Sequence, residues 1–405
     1  NETPNPAHTA AATAGLPRPG PQAAAVSEEL TRLIVAEIER AGGWIGFDRY
    51  MTMALYEPGL GYYSNGKPVF GPAGDFVTAP ELTPLFGAAL SRPVGSWLAA
   101  CADGDPLVIE FGAGSGTLAC HLLNALERQG FSRLRYQIVE LSGDLRGLQQ
   151  KTIAARVPQM AGQVEWLSAL PDSFRGVVIG NEVLDAMPVR TFEWDGSRLS
   201  EVGVVADSDR LGWAGREADD SLLRLVAASG ADREAWHLPY RSEVCPQQGA
   251  WLATVAAAMQ SGAILLLDYG FPAAEYYHPQ RVGGTLMSHY RHRSLTDPFL
   301  WPGLQDITAH VDFSRILAAA EAAGLQPLGY TSQARFLLNC GLLDELEALP
   351  RDEQRLWFSQ AQAVQRLVSE AEMGELFKAI AFGKEMPASA SLPGFVEGDR
   401  LAALR

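Results

Sequence analysis

The chain has 405 residues, 47% of them apolar and 20% charged, which is the balance of an ordinary globular protein and is long for one domain. A formal net charge of −15 works against non-specific binding to nucleic acid or to anionic membranes, so no nucleic-acid partner is expected. No apolar run approaches the roughly 20 residues that span a bilayer, and Cys101, Cys120, Cys245 and Cys340 form no CxxC pair, so neither a metal centre nor a disulfide framework is expected.

Residues 1–25 are rich in Ala and Pro with a single arginine, unlike a secretory signal or an Arg-rich transit peptide. They read as a disordered leader on a cytoplasmic protein. From Ser27, the apolar residues Leu30, Leu33, Ile34 and Ile38 recur at helical spacing, with Ser27 placed to cap the helix and Gly42-Gly43 to stop it. Residues 46–87, GFDRYMTMALYEPGLGYYSNGKPVFGPAGDFVTAPELTPLFG, mix aromatics, glycines and prolines too irregularly for a long helix or strand. A loop of that length is more often functional than idle, and it precedes a helix at Pro84 to Ala100. Residues 26–100 are therefore expected to form a helical and loop extension covering a ligand site.

The stretch LVIEFGAGSGTLACHLL, 107–123, reads as a buried strand, a glycine turn and the start of a helix. Five further strands are expected at Tyr136 to Glu140, Gln163 to Leu167, Val177 to Asn181, Ala263 to Asp268 and Leu325 to Tyr330, and a last one at Lys378 to Phe382. Helical patterns lie between them, as at 143–156 and 249–260. Such alternation predicts an α/β fold with a mostly parallel sheet of seven strands and helices on both faces. Ligands bind beyond the carboxyl ends of the strands of such sheets. This main unit spans 101–385 and carries two insertions. The first, about 190–245, holds the hairpin RTFEWDGSRLSEVGVV around Asp195-Gly196, lengthened by a polar region at 206–235. The second, 335–377, reads as two or three amphipathic helices, whose apolar faces leave room for a homodimer. A tail follows at 386–405.

The glycines fall at 112, 114 and 116, and the position that G-x-G-x-x-G would make glycine is Thr117. The acid on the second strand, Glu140, lies 28 positions past Gly112, beyond the spacing of about 20 in dinucleotide folds. Glu110, just before the loop, would repel a pyrophosphate but favour a cationic methionyl end. These features turn the loop toward S-adenosylmethionine, with S-adenosylhomocysteine as product. Glu140 would accept from both ribose hydroxyls, although an acid there could also cap the next helix.

The stretches YEPGLGYY (56–63), GDFVTAPEL (74–82), VIEFGAGSGTLA (108–119), GNEVLDAMPV (180–189), LLLDYG (265–270) and MGELFKAIAFGK (373–384) together resemble the MidA family. The resemblance implies a class I methyltransferase fold, Rossmann-like, and methylation of an arginine on a respiratory complex I subunit. The partner is then a protein with an exposed arginine segment. Cofactor contacts are expected from Glu110, Gly112, Ala113, Gly114, Gly116, Thr117, Glu140, Leu141 and Asn181, with Asp75, Thr78 and Glu81 over the methionyl end. An arginine acceptor needs carboxylates that hold its charge away from the attacking nitrogen. Glu182 or Asp185 is expected to face it, with Asn181 holding the loop and Asp268 or Glu243 as a second acid. Tyr269 would wall the methyl channel with Tyr62 or Tyr63, and Arg241 or His289 would gate the substrate. Two alternatives stay open: a non-catalytic assembly factor on this fold, and a small-molecule methyltransferase.

Overall fold

A run such as Leu107–Phe111 is apolar on both sides because helices cover both of its faces: Val108 faces one core and Ile109 the other. The computed structural model describes residues 16–66, 78–101, 104–208, 210–387 and 392–405. The central sheet is built from β1 (Leu107–Phe111), β2 (Arg135–Val139), β3 (Val164–Leu167), β4 (Phe174–Asn181), β5 (Met259–Phe271), β6 (Gln326–Ser332) and β7 (Phe377–Lys384). Their order is β3-β2-β1-β4-β5-β7-β6, and Val311–Asp312 adds a short parallel pairing at the end of β5. Pairing is parallel from β3 through to β5, whereas β7 runs antiparallel to both β5 and β6. All seven expected strands are present.

One face is covered by the helices Pro84–Ala100 and Thr117–Arg128 together with the C-terminal helices, which bury Phe86, Trp97, Leu122 and Phe336. The other carries Pro246–Ala258 and Phe313–Ala322, with Leu252, Val255 and Ile316 buried. Each such side chain contributes about 1.5–3 kcal/mol relative to exposure. The 335–377 insertion resolves into the helices Gln333–Asn339, Leu342–Glu347 and Gln354–Val368.

Three local expectations need correction. The first helix runs from Pro21 to Arg40, so the leader boundary at 25 falls inside it. Proline suits the first helical position because its missing N–H has no partner there anyway. Ser27 lies inside that helix, where its carbonyl accepts from the Thr31 hydroxyl, and does not cap it. Gly42 and Gly43 do end it, at φ 85° and 95°. The irregular 46–87 stretch contains a 10-residue helix, Phe47–Tyr56, whose Phe47, Tyr50 and Met51 are fully buried. Residues 1–15 and 67–77 lie outside the described residues.

The insertion folds as an antiparallel sheet of Arg190–Trp194, Leu199–Asp207, Arg210–Glu217 and Tyr240–Val244, to which Ile45–Gly46 adds from the N-terminal extension. The Asp195-Gly196 turn is as expected, with Asp195 Oδ1 accepting from the N–H groups of Ser197 and Arg198, both at 2.8 Å. The polar 206–235 region holds a strand and the helix Asp220–Ala227. Between β5 and β6 lies a segment that no pattern had marked, with short strands Met287–Tyr290, Arg293–Leu295 and Asp306–Thr308. Among the described residues, no helix is long and apolar enough to cross a membrane.

Candidate functional site

Beyond the carboxyl ends of β1, β2 and β4 opens a cavity of about 920 Å³. Its floor is the glycine loop, where Gly112, Gly114 and Gly116 have φ of 63°, 52° and 83°, a region that L side chains rarely adopt. A Cβ on Gly112 would come within 2.9 Å of Val183 Cγ2, so the loop and the β4 turn approach too closely for any side chain. Gly112, Ala113, Gly114 and Thr117 line the cavity. Gly116 is absent from its wall. It precedes the helix Thr117–Arg128 and packs on Gln149, which makes its role in the loop indirect. Ser115 Oγ donates to Glu81 and lies 2.8 Å from Thr117 Oγ1, which fastens the segment before Pro84 to the loop. Thr78 and Glu81 line the cavity; Asp75 lies outside the described residues.

Glu110 is buried at the cavity edge and accepts from the Tyr136 hydroxyl at 2.7 Å. Burial pushes its pKa up to about 7, so near neutrality it carries only part of a charge. Glu140 accepts from the Ser142 N–H at 2.8 Å and the Gln149 amide at 3.1 Å while still lining the cavity. The local anchoring is what the bonds show, and it leaves acceptor positions over, since a carboxylate has about four. Beside it, Leu141 is 80% exposed, an apolar surface at the mouth.

The end of β4 concentrates acid. Glu182 has φ 55°, an uncommon conformation for a non-glycine residue, and accepts from the Asn181 amide at 3.0 Å. Burial, then the charge of Asp185, push its carboxyl up to about 8, and the Ala79 N–H offsets part of this. Burial likewise raises Asp185 to about 6, with the Tyr269 hydroxyl opposing. Asn181 Oδ1 and Asp185 Oδ1 are buried acceptors with no hydrogen-bond partner among the described residues. Unmet acceptors beside a glycine cradle suit a ligand that brings N–H or O–H donors and positive charge, so the residues present fit S-adenosylmethionine.

Not every expected residue belongs here. Asp268 is buried away from the cavity wall: its Oδ2 accepts from the N–H groups of Val183, Leu184 and Asp185 at 3.1, 2.8 and 3.3 Å. It shapes the turn that presents Glu182 and Asp185 and does not face a substrate. Glu243 is also turned inward, accepting from the Tyr276 hydroxyl and the Thr285 N–H, and so joins the inserted sheet to the 272–312 segment. Arg241 pairs with Glu193 at 2.9 Å, and His289 stands opposite Asp306 in a strand pair; neither lines the cavity. Tyr63 and Tyr269 line it, Tyr62 does not. Among the wall residues to which the sequence assigned no role are Tyr56 and Asp306. Tyr56 opens the YEPGLGYY stretch, where it could have been read; Asp306 lies in no recognisable motif.

The profile of a family described as "Putative S-adenosyl-L-methionine-dependent methyltransferase" matches residues 94–331. Among curated proteins, the chain is 29% identical over 375 residues to the Mus musculus protein arginine methyltransferase NDUFAF7, mitochondrial, covering 84% of this chain and 80% of the relative. It is 28% identical to the Caenorhabditis elegans homolog over 82% of this chain and 80% of the relative. A Burkholderia thailandensis crystal structure bound to S-adenosyl-homocysteine is similar at TM-score 0.90 and 49% identity, covering 96% of this chain and 100% of that one. The mitochondrial names of the curated relatives overturn the cytoplasmic location expected from the leader.

Proposed function

Because the chain belongs to the MidA family of S-adenosyl-L-methionine-dependent methyltransferases, we propose that the acceptor of its methyl group is an arginine side chain of a partner protein. The observation that carries this reading is the pair of carboxylates at the end of β4, Glu182 and Asp185, on the wall of the cavity that the glycine loop floors. The curated relatives named protein arginine methyltransferases support it.

In this reading Gly112, Ala113, Gly114, Thr117, Glu140 and Leu141 hold the cofactor, with Thr78 and Glu81 closing over it. The bound cofactor supplies an electrophilic methyl group on a sulfonium, with a neutral thioether as leaving group. Charge bookkeeping then assigns the work of the acids. A guanidinium and a sulfonium enter with one positive charge each, and a methylguanidinium and a neutral thioether leave, so one proton must be taken up. Glu182 and Asp185 accept hydrogen bonds from the guanidinium, draw its positive charge toward their side, and one of them takes that proton. A carboxyl that the protein alone holds near pKa 8 keeps a proton poorly once cations arrive and regains its basicity as the sulfonium charge disappears. Asn181 fixes the Glu182 carboxylate. Positioning supplies the remainder, since in-line transfer demands that the nitrogen and the methyl carbon be held in contact.

The test is to incubate the full chain with cofactor carrying a labelled methyl group and a cell lysate, then hydrolyse the labelled protein. Label recovered as methylarginine, and lost with Glu182→Gln and Asp185→Asn together, supports the reading. Label recovered on another side chain, or only in small molecules, overturns it.

A further inference from the structure

We propose that acids on the cavity wall select the charged cofactor over its uncharged product, so that the chain binds S-adenosylmethionine more tightly than S-adenosylhomocysteine and loosens its hold once the methyl group has gone. The inference concerns the cofactor alone and does not depend on which acceptor takes the methyl group. Three acids meet where two neighbouring strands end. Glu110 lies one residue before the end of β1, Glu182 and Asp185 follow β4, and the two strands pair with Phe111 opposite Gly180. The turns beyond them are as close, since a Cβ on Gly112 would meet Val183, and all three acids line the one cavity.

Their hydrogen-bond donors are neutral. Glu110, 2% exposed, accepts from the Tyr136 hydroxyl, and Glu182 accepts from the Asn181 amide. Asp185, 5% exposed, keeps its Oδ1 without a hydrogen-bond partner among the described residues. Among the described residues, no Lys, Arg or His lines the cavity. Two arginines reach the wall from outside it: Arg146 Nε donates to the Glu140 carbonyl oxygen at 2.7 Å, and Arg156 to the Thr117 hydroxyl at 3.2 Å. Burial raises the pKa of all three acids, and the Asp185 charge adds to the rise at Glu182, as expected of a wall short of positive charge.

A ligand that enters this space brings a charge or leaves the wall without one. S-adenosylmethionine carries a sulfonium, a counter-charge in a poorly solvated place where such contacts are stronger than in water. S-adenosylhomocysteine has nearly the same outline but a neutral thioether, so Glu182 and Asp185 are left to repel each other or to stay protonated. Glu110 has no part in the acceptor chemistry, and its charge serves the cofactor alone.

The experiment measures by calorimetry, near pH 7 and at one ionic strength, the binding of S-adenosylmethionine, S-adenosylhomocysteine and sinefungin to the full chain without acceptor. Sinefungin carries an ammonium group where the cofactor has its sulfonium. The wild-type chain is expected to bind the two cations at least about 10-fold more tightly than S-adenosylhomocysteine, the scale of a charge-assisted contact. Glu110→Gln and Glu182→Gln keep the outline of each acid and remove its charge. Each should shrink the preference by about 3-fold, and the double variant should bring the three ligands to within about 3-fold of one another, with S-adenosylhomocysteine affinity unchanged or higher. A merely structural role would weaken all three ligands together and leave their ratios standing. Ratios that survive in the double variant, or in both single variants should the double not fold, overturn the proposal. So does a wild-type chain that binds S-adenosylhomocysteine as tightly as the cofactor, or one that binds sinefungin no better than the product, because the preference would then belong to the methyl group and not to charge. The arginine reading survives each of these results.

Discussion

Glu182→Gln separates charge from shape at the most perturbed exposed-to-cavity acid. Glutamine keeps the outline and the φ of 55°, so backbone strain cancels in the comparison. Glu182 ordinarily titrates at 4.5 and is held near 8 in the fold. The folded state therefore binds its proton more tightly than the unfolded state does. The stabilisation this gives is complete below about pH 4.5 and is lost as pH rises toward 8. At about 1.4 kcal/mol per pH unit the ceiling is about 5 kcal/mol. The side chain is only part-buried and opens onto the cavity, so water trims this to about 2 kcal/mol. With about 2.1 cal/mol/K of unfolding entropy per residue, a chain of this length converts 2 kcal/mol into roughly 2–3 °C. Thermal unfolding of the ligand-free chain and of Glu182→Gln, followed from pH 5 to 8.5 at fixed ionic strength, should give curves that coincide at the acid end. Toward pH 8.5 the variant should pull ahead by those few degrees. A difference that stays constant with pH, or one that shrinks as pH rises, would refute the assignment of a burial-raised carboxyl to this position.

Cofactor binding near pH 7 should release protons, because Glu110 and Glu182, held near 7 and 8, ionise beside an incoming cation. Calorimetry in buffers of different ionisation enthalpy should find more release with S-adenosylmethionine than with S-adenosylhomocysteine, which lacks the sulfonium charge; equal release would contradict this. Asp268→Ala should cost about 2–4 kcal/mol by orphaning the four N–H groups, of Val183, Leu184, Asp185 and Tyr269, that now donate to it, seen as a fall of several degrees in Tm. The rate of methyl transfer should fall more than affinity for S-adenosylhomocysteine, and an unchanged Tm would contradict the role given to this acid.

The strands of the central sheet were legible because they are buried on both faces and so stand out as short apolar runs, and the glycine loop because bare backbone is needed where it meets Val183. The acids after β4 were legible as cavity residues because they are charged residues at a strand end, which a parallel sheet turns toward the crevice beyond its carboxyl edge. Asp268 has the same sequence signature but a different fate. A carboxylate at a strand end can point to the cavity or fold back onto the neighbouring turn, and nothing in the local pattern distinguishes them. The segment 272–312 was silent because its strands are two to four residues long, below the length at which alternation shows. Asp306 was invisible in principle, since its partner Tyr63 lies 243 residues away and tertiary structure alone brings the two together.

The pairing of Ile45–Gly46 with Leu199–Asp207 has a consequence for how the chain is made. The buried face of the N-terminal helices, Leu30, Ile34, Phe47 and Tyr50, is completed by later parts of the chain, and the Tyr50 hydroxyl donates to a carbonyl 248 residues downstream, at Pro298. At about 5–20 residues added per second, the ribosome needs roughly 12–50 s to supply that partner. During synthesis the apolar stripe of the first helices therefore waits uncovered for those tens of seconds, a delay set by translation speed and not by how fast the finished chain can fold.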